Sequence, residues 1–337
     1  SGQHDTRADV ATRTEFFVSC RVARSLLLLT ALTAFGCRKK EEPLPEKPAP
    51  TASASPPRVL YLPDDYSGDP AAAPRLEPPP KRRCPAEMVL VEDAYCVDRF
   101  ESSFVVQGSG SDLSPRYLSP HYPPTKYYSN LLFDRFKRQP ARPAKGEPAL
   151  LDVPPPPDFQ RDADFEPRAV SEKDRLPAGY LTRNWAELAC TNAGKRLCSR
   201  EEWTRACRGS QNRLYPYGSE YQEGLCNVHR KSHPANILHG DASRNHLDPR
   251  LGLTRDGDGP LLRTTGSTST CRSEWGDDAI YDMVGNLDEW IDDPGGSFLG
   301  GFYSRGTTAG CAASIDSHEP TYFDYSLGAR CCSGPTD

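Results

Sequence analysis

The sequence predicts a loop-rich α+β domain stapled by disulfides. Strand-like segments at residues 87–100 precede helical segments at 185–193 and 199–209, and more strand-like segments follow between residues 279 and 331. Strands ahead of the helices and strands after them do not suggest a parallel α/β sheet, in which the two alternate. Ten cysteines after Cys37 add the disulfides, because an even number in an exported chain favours bridges.

Only the part from Cys84 to Asp337 has the composition of a compact domain. Twelve of the 33 prolines lie between residues 41 and 80, mixed with Ala, Ser and Lys. Such a segment lacks the apolar residues that offset the entropy of ordering, so residues 38–83 are predicted to form an extended tether. The formal net charge is −5, and the absence of a broad basic face argues against nucleic acid as a partner.

Residues 1–37 have the pattern of an export signal. Two arginines precede twelve mostly apolar residues, 25–36, which are too few to span a membrane but suit a signal peptide. Gly36-Cys37 at the end of this run resembles the bacterial lipobox, in which the cysteine becomes a lipid-modified N-terminus. The prediction is an exported protein anchored to a bacterial membrane through Cys37. A plain secretory signal or an incidental apolar stretch is the alternative.

The domain begins with a predicted hairpin. Cys84 and Cys96 flank EMVLVEDAY, whose alternation indicates a strand and a turn, so a bridge between them would close a short hairpin. The sequence contains no C-x-x-C pair, which gives poor support to a zinc ribbon.

The two helices carry recognisable start signals. Asn184 is followed three residues later by a glutamate and predicts a helix over 185–193. Ser199 stands in the same relation to Glu202 and predicts a second helix that ends near Gly209.

Four sequence blocks carry a resemblance to a known family. They are GKRLCSREEWTRACRG at 194–209, NRLYPYG at 212–218, YDMVGNLDEW at 281–290 and SLGARCC at 326–332. Their order and spacing resemble those of the formylglycine-generating enzymes, the sulfatase-modifying factors. This resemblance implies a C-type-lectin-like α+β fold with little regular secondary structure.

The resemblance also implies part of the disulfide pairing. In the family, the cysteine of the first helix pairs with one in the final strand, and the cysteine of the second helix pairs with one ahead of that strand. The pairs implied in this chain are Cys190–Cys331 and Cys207–Cys311, with Cys198–Cys332 and Cys226–Cys271 left as remainders.

The YDMVGNLDEW block is expected to hold a calcium ion. Calcium prefers carboxylate and carbonyl oxygens that a tight turn brings together. The resemblance assigns the side chains of Asp282 and Glu289 and the backbone carbonyls of Gly285 and Leu287 to such a site. Family members usually have Trp where this chain has Asp288, so the loop is more negative here. The alternative is that the two carboxylates cap backbone amides without an ion.

A second calcium site of the family maps onto this chain less closely. The residues assigned to it are Asn227, the carbonyl of Val228, Asp258 and the carbonyl of Pro260. Their separation is wider than in the family, and Asn236-Ile237 is a rival match for the first two.

Four histidines lie in the same region, at positions 229, 233, 239 and 246. The spacing of His229 and His233 would place both imidazoles on one helix face. Nearby Pro234 and Gly240 argue against a helix and favour a solvated loop, with zinc or iron binding as the alternative.

Residues 104–177 depart from the family pattern as a long insertion. The stretch contains YPPTKYY and four consecutive prolines at 154–157. A stretch this long without secondary structure is either disordered or a surface arm over the domain, and the packed arm is the favoured prediction. Recognition of a partner is the alternative.

The resemblance fails at the residues that carry the family's chemistry. The family oxidises a substrate cysteine with copper(I), held by two cysteines five positions apart in the strand after a GGS turn. Soft thiolates suit copper(I). The equivalent stretch here, Gly300–Cys311, has one cysteine, and Cys311 aligns better with the structural disulfide. Formylglycine generation and a copper cofactor are therefore not expected.

Two functional hypotheses follow. The first is a calcium-stabilised binding or structural module at the cell surface, with a protein or glycan ligand in a groove beside Tyr303, Ser304 and Arg305. The second is an extracytoplasmic modifying enzyme of different, oxidoreductase-like chemistry, similar to the pyoverdine-maturation relatives that also lack the copper pair. Its candidate donors are Ser304, Arg305, Asp316 and His318, and no catalytic residue is assigned.

Overall fold

The computed structural model describes residues 83–108, 113–143, 145–146 and 152–336. Cys37, the signal pattern and nearly all of the predicted tether lie outside these residues. Within the described part, no helix is both long enough and apolar enough to cross a membrane.

Short strands and short helices alternate with long loops throughout. The strands are β1 (Met88–Val91), β2 (Tyr95–Asp98), β3 (Ser102–Val106), β4 (Arg116–Tyr117), β5 (Arg168–Ser171), β6 (Arg196–Leu197), β7 (Arg255–Asp256), β8 (Gly259–Pro260), β9 (Arg272–Trp275), β10 (Asp278–Tyr281), β11 (Asp288–Trp290), β12 (Phe298–Leu299), β13 (Ser314–Ile315), β14 (Leu327–Ala329) and β15 (Cys331–Ser333). The α helices are α1 (Lys126–Phe136), α2 (Asp158–Asp162), α3 (Arg183–Asn192), α4 (Arg200–Arg208) and α5 (Pro234–His239). This mixture is the α+β class that the sequence predicts.

One antiparallel sheet joins the two ends of the described domain. Its strand order is β1-β2-β15-β6, with Cys332 opposite Val97 and Cys331 opposite Leu197. Strands β1 and β2 form the predicted hairpin, with Met88 opposite Asp98 and Val91 opposite Tyr95, and seven of their eight residues are buried. The sheet therefore ties the last strand to the first.

A second sheet carries the block that the sequence singled out. Its order is β13-β12-β11-β14, and β11 runs parallel to β14 with Glu289 opposite Gly328. Trp290 anchors β11, since its ring is fully buried and its Nε1 donates to the carbonyl oxygen of Leu181 at 2.7 Å. This anchoring fixes where the carboxylates of β11 lie.

Of the two predicted helix starts, the one at Ser199 is confirmed and the one at Asn184 is wrong by two residues. The capping box of Ser199 and Glu202 is present, and α4 ends at Gly209 as predicted. Helix α3 begins earlier than predicted, because Thr182 rather than Asn184 is its N-cap and accepts a hydrogen bond from the backbone nitrogen of Trp185 at 3.1 Å.

The prediction that residues 104–177 lack secondary structure is wrong. This insertion contains most of β3 together with β4, β5, α1 and α2, and β3 pairs along its length with β5. Helix α1 begins at the N-cap Thr125 and buries Leu132 and Phe136 against the domain. The packed arm was the favoured alternative, and the apolar spacing of α1 explains why the segment packs.

Five disulfides staple the described domain. They are Cys84–Cys96, Cys190–Cys331, Cys198–Cys332, Cys207–Cys311 and Cys226–Cys271. These are the same five pairs that the sequence and the resemblance gave. Two adjacent cysteines of β15 reach two different elements, which fastens the final strand to α3 and to the loop before α4.

Candidate functional site

The segment from Tyr281 to Trp290 makes a tight turn deep in the domain. Asp282, Gly285 and Asn286 all have positive φ angles, of 59°, 83° and 57°. A Cβ atom on Gly285 would lie 2.2 Å from the carbonyl oxygen of Asn227, so only glycine fits there. The turn therefore brings Asp282 and β11 together against the loop at Asn227.

Glu289 is held by a buried ion pair. Its carboxylate accepts hydrogen bonds from the Nη2 of Arg330 at 2.8 Å and from the indole Nε1 of Trp203 at 2.7 Å. Arg330 is fully buried and also donates to the backbone carbonyls of Asp98 and Tyr281. Every group in this cluster has a partner, which is what a buried ion pair requires.

Glu101, which directly precedes β3, joins this cluster. Its carboxylate accepts from the backbone nitrogen of Leu287 at 3.0 Å and from the amide of Asn286 at 2.6 Å. Burial, followed by the charges of Asp282 and Glu289, raises the pKa of Glu101 well above its usual value. Burial also raises the pKa of Asp282 to about 6.

The calcium site expected in this loop stays a prediction. Glu101, Asp282 and Glu289 are buried carboxylates near the guanidinium of Arg330, and Asp282 accepts a hydrogen bond from the backbone nitrogen of Gly266 at 2.6 Å. The donors are hard oxygens, as calcium prefers. The described residues contain no cluster of three or more His, Cys, Asp or Glu side chains able to hold a metal. The expected site uses two such side chains and backbone carbonyls, so it is of a different kind.

The second set of expected calcium ligands stays a prediction. Asn227, Val228 and Asp258 line one pocket, and Asp258 and Pro260 line a second one. The first pocket is lined by as many basic side chains as acidic ones, namely Arg230, Lys231 and Arg263 and Glu223, Asp256 and Asp258.

The rival match at Asn236-Ile237 lies in α5. Ile237 packs into the hydrophobic core there.

His233 and His239 do not lie in a solvated loop, which corrects that prediction for them, whereas His229 and His246 lie outside the helices and strands. His239 is buried in α5 with its Nε2 3.0 Å from Asp248, and His233 caps the same helix and contacts the hydroxyl of Tyr325 at 3.0 Å. His229 accepts from the backbone nitrogen of Thr307 at 2.9 Å. Pro234 begins this helix rather than preventing it, as proline at the first helical position does.

The predicted groove beside Tyr303 is closed in the structure. Tyr303 is fully buried, and its hydroxyl has no hydrogen-bond partner among the described residues. Ser304 donates to the carbonyl oxygen of Ser232 at 2.7 Å. Arg305 makes an ion pair with the buried carboxylate of Asp288, whose Oδ2 has no partner in the described chain. The positive charge of Arg305 explains how an aspartate is tolerated where a tryptophan is usual.

The remaining candidate donors are held by surface contacts. Asp316 pairs with Arg200 at 2.6 Å. The ring of His318 stacks on Tyr322, with 4.1 Å between ring centroids, and on Phe298. These contacts of Asp316 and His318 involve neither Ser304 nor Arg305.

Most residues of this site lie in a part of the chain that matches a known protein family. Residues 156–328 match the family model of the sulfatase-modifying factor enzyme 1-like domain. The chain belongs to this family. Glu289, Trp290 and Asp282 lie inside the matched range, whereas the hairpin and the first 50 or so residues of the insertion lie before it.

Curated members of the sulfatase-modifying factor family match a part of the chain. The formylglycine-generating enzyme of Mus musculus is 29% identical over 126 residues, which cover 37% of this chain and 29% of that protein. The inactive C-alpha-formylglycine-generating enzyme 2 of Bos taurus is 27% identical over 127 residues, which cover 36% of this chain and 34% of that protein. The chain thus spans about a third of the length of these curated relatives.

Solved structures match at lower similarity. PvdO from Pseudomonas aeruginosa has 14% identity and a TM-score of 0.32, covering 74% of this chain and 98% of that one. The Major Tropism Determinant I1 variant has 14% identity and a TM-score of 0.38, covering 76% of this chain and 55% of that one.

The stretch Gly300–Cys311 is the one in which the resemblance places the family's copper ligands. Its single cysteine, Cys311, is bonded to Cys207 of α4. A Cβ atom on Gly300 would lie 2.8 Å from the carbonyl oxygen of Met283 and 3.1 Å from the ring of Trp203. Atoms of Met283 and Trp203 pack directly against Gly300, which leaves no space for a larger side chain there.

Proposed function

We propose that this protein is a membrane-tethered, extracytoplasmic sulfatase-modifying factor domain that acts as a calcium-stabilised binding or structural module. The observation that carries the proposal is the state of its cysteines. All ten cysteines of the described residues are in disulfides, including the single one in Gly300–Cys311. The thiolate pair that copper(I) chemistry needs is therefore missing from that stretch.

Two further features support the proposal. The relative named as an inactive formylglycine-generating enzyme offers a precedent for a family member without the oxidase reaction. Five disulfides suit an oxidising compartment, which agrees with an export signal and a lipid anchor at Cys37.

Calcium enters the proposal as a structural ion. The side chains of Asp282 and Glu289 and the carbonyls of Gly285 and Leu287 would hold it, and the ion would neutralise the buried carboxylate cluster. A ligand that binds only the folded state stabilises it in proportion to ln(1 + [L]/Kd), so calcium is expected to raise the thermal unfolding midpoint. The midpoint in EDTA and in excess calcium, measured by calorimetry, checks this, and equal midpoints would remove calcium from the proposal.

A peptide oxidation assay tests the absence of oxidase chemistry. The purified chain, loaded with copper(I), is incubated with a cysteine-containing sulfatase peptide, and aldehyde formation is followed by mass spectrometry. The formylglycine-generating enzyme of Mus musculus serves as the positive control. We expect no aldehyde above the background of copper alone. Aldehyde that depends on the chain and disappears in Cys311→Ser would contradict the proposal.

A modifying enzyme of another chemistry is the second candidate. It is favoured by two buried polar atoms without partners in the described residues, the Oδ2 of Asp288 and the hydroxyl of Tyr303. Such atoms cost stability, and in native proteins each calls for an explanation such as a catalytic role. A substrate reaching them would have to displace Arg305, which covers Asp288.

A further inference from the structure

A strongly basic segment begins in the last turn of α1 and continues into the chain that follows it. Residues 135–145 contain five basic residues and no acidic one, whereas the whole chain has a formal net charge of −5. All five are exposed, namely Arg135, Lys137, Arg138, Arg142 and Lys145. We call residues 135–145 the basic segment. Its positive charge is local and faces solvent.

The backbone of the basic segment is fastened to the domain. The backbone nitrogen of Arg142 donates to the carbonyl oxygen of Leu238 at 3.0 Å, and the Nη2 of the buried Arg250 donates to the carbonyl oxygen of Gln139 at 2.9 Å. These bonds hold the main chain and leave the basic side chains at the surface. Within the described residues, Lys137 is the member of the segment that makes an ion pair, so most of its charge remains for a partner.

The exposed face of α1 also carries two large apolar side chains. Tyr127 is 67% exposed and Leu131 is 45% exposed. These two residues and Arg135 follow one another at intervals of four, so all three lie on one face of the helix. The face is therefore apolar toward the N-terminal end of α1 and basic toward the C-terminal end.

The apolar part of this surface extends onto α3. The ring of Tyr128 contacts Trp185 of α3 edge to face, with 5.2 Å between ring centroids. Leu188, one turn after Trp185, is 46% exposed. Single exposed apolar residues are ordinary on soluble proteins, but a cluster of them marks an interaction surface. Here the cluster lies on the helix that leads into the basic segment.

An anionic lipid surface matches both parts of this face. Lysine and arginine are attracted to lipid phosphates, while leucine and tyrosine enter the layer between head groups and acyl chains. A nucleic acid would match the charge, but its backbone offers nothing to exposed leucines. We propose that α1 and the basic segment dock on an anionic membrane surface. The inference rests on the proposed function, because a lipid anchor at Cys37 would hold the domain next to a membrane.

The test uses the whole chain with Cys37→Ser, so that no lipid can be attached there. Co-sedimentation measures its affinity for vesicles of phosphatidylcholine alone and of phosphatidylcholine with phosphatidylglycerol at two to one. We expect tighter binding to the anionic vesicles. Each basic residue near such a surface contributes about fivefold, so Arg138→Gln with Arg142→Gln and Lys145→Gln should lower the affinity about a hundredfold.

A matched control removes the same charge elsewhere. Arg168→Gln with Lys173→Gln and Arg272→Gln also replaces three exposed basic residues, none of them in the basic segment, and should keep the preference for anionic vesicles. Circular dichroism confirms that both triple variants are folded.

A second pair of variants tests the apolar part of the surface. Tyr127→Gln with Leu131→Gln should weaken binding to the anionic vesicles roughly tenfold, because less apolar surface enters the lipid. Leu113→Gln with Leu214→Gln replaces two exposed leucines that lie on neither α1 nor α3, and it should bind as the parent chain does.

Three results would overturn the inference. The first is equal affinity for the two kinds of vesicle, and the second is an equal loss in a variant and its matched control. The third is release from anionic vesicles by a single-stranded oligonucleotide at a charge concentration well below that of the lipid, which would point to nucleic acid. The chain in this test carries no lipid, so its failure leaves the calcium and copper tests of the proposed function standing. Aldehyde formation in the copper assay, conversely, would contradict the proposed function whatever the vesicles bind.

Discussion

The cysteine-rich part of the domain and the insertion are both folded, but different interactions stabilise them. Residues 190–332 carry four of the five disulfides of the described chain, and the insertion at 104–177 contains no cysteine. The insertion is instead held by buried polar contacts. Gln160 accepts from the backbone nitrogen of Ser119 and donates to the hydroxyl of Ser129, each at 2.8 Å. Covalent bonds fix the first region, and packing with hydrogen bonds fixes the second.

This comparison predicts that the first region unfolds only when its cross-links or buried charges are removed. The insertion, in contrast, should respond to small changes in single side chains and to pH. Four experiments, ordered by the expected effect, test the difference.

Removal of a long-range disulfide should have the largest effect. Cys226→Ala with Cys271→Ala opens a loop closed over a sequence separation of 45 residues, which none of the other four disulfides shortens, and the loop-closure entropy predicts a loss of about 4 kcal/mol in the free energy of unfolding. Cys84→Ala with Cys96→Ala opens a separation of 12 residues, and the same relation predicts about 3 kcal/mol. Urea unfolding of both double variants gives the two values. An equal loss in both would contradict the entropic account.

Breaking the buried ion pair should follow closely. Arg330→Met leaves the carboxylate of Glu289 buried with only Trp203 as a side-chain donor, and such losses cost about 3 to 5 kcal/mol. Arg330→Met combined with Glu289→Met removes both charges and should recover part of that loss. Urea unfolding of the single and double variants measures the difference, and a double variant no more stable than the single one would argue against a charge effect.

Acid should destabilise the insertion through His121. Burial lowers the pKa of His121 to about 4, against an ordinary value near 6.5 in the unfolded chain. The unfolded state therefore binds the proton first, and stability falls as the pH drops from about 6.5 to about 4, by roughly 3 kcal/mol in total. His121→Leu should lose this slope. Unfolding measured across that pH range checks it, and a slope unchanged in the variant would exclude His121 as its source.

Loss of a helix cap should have the smallest effect. Thr125→Ala in the insertion and Ser199→Ala in the cysteine-rich part each remove one N-cap hydrogen bond, worth about 1 kcal/mol. Limited proteolysis should cut Thr125→Ala faster near α1, while Ser199→Ala should resist, because disulfides at Cys198 and Cys207 hold both ends of α4. Similar cleavage rates in the two variants would contradict the proposal that disulfides stabilise one region and packing stabilises the other.

Local signals predicted helix α4 and the first hairpin well. The capping box at Ser199 and the alternation between Cys84 and Cys96 lie within a few residues of what they determine. Trp290 was identifiable because its block has an unusual composition. These features are determined by residues close by in the chain, so they can be predicted from one sequence.

Features made by distant contacts were missed. Nothing next to Glu101 marks it as the partner of a loop 185 residues away, and nothing near Arg330 indicates that its guanidinium is buried. The prolines around α1 suggested a structureless arm, although Leu132 and Phe136 lie four residues apart and give the helix an apolar face. Burial of Tyr303 could not be seen either, because an aromatic residue beside glycines suits a groove and a core equally.

The proposed function depends above all on whether Cys311 is in a disulfide or is a free thiol. The intact chain is alkylated without reductant, digested and mapped by mass spectrometry. We expect to find Cys311 only in a cross-linked peptide with Cys207 and none of the ten cysteines from Cys84 onward with the alkyl group. Alkylated Cys311 in the folded protein would reveal a resting thiol in the stretch where the family binds copper, and the claim of a binding module without oxidase chemistry would fail.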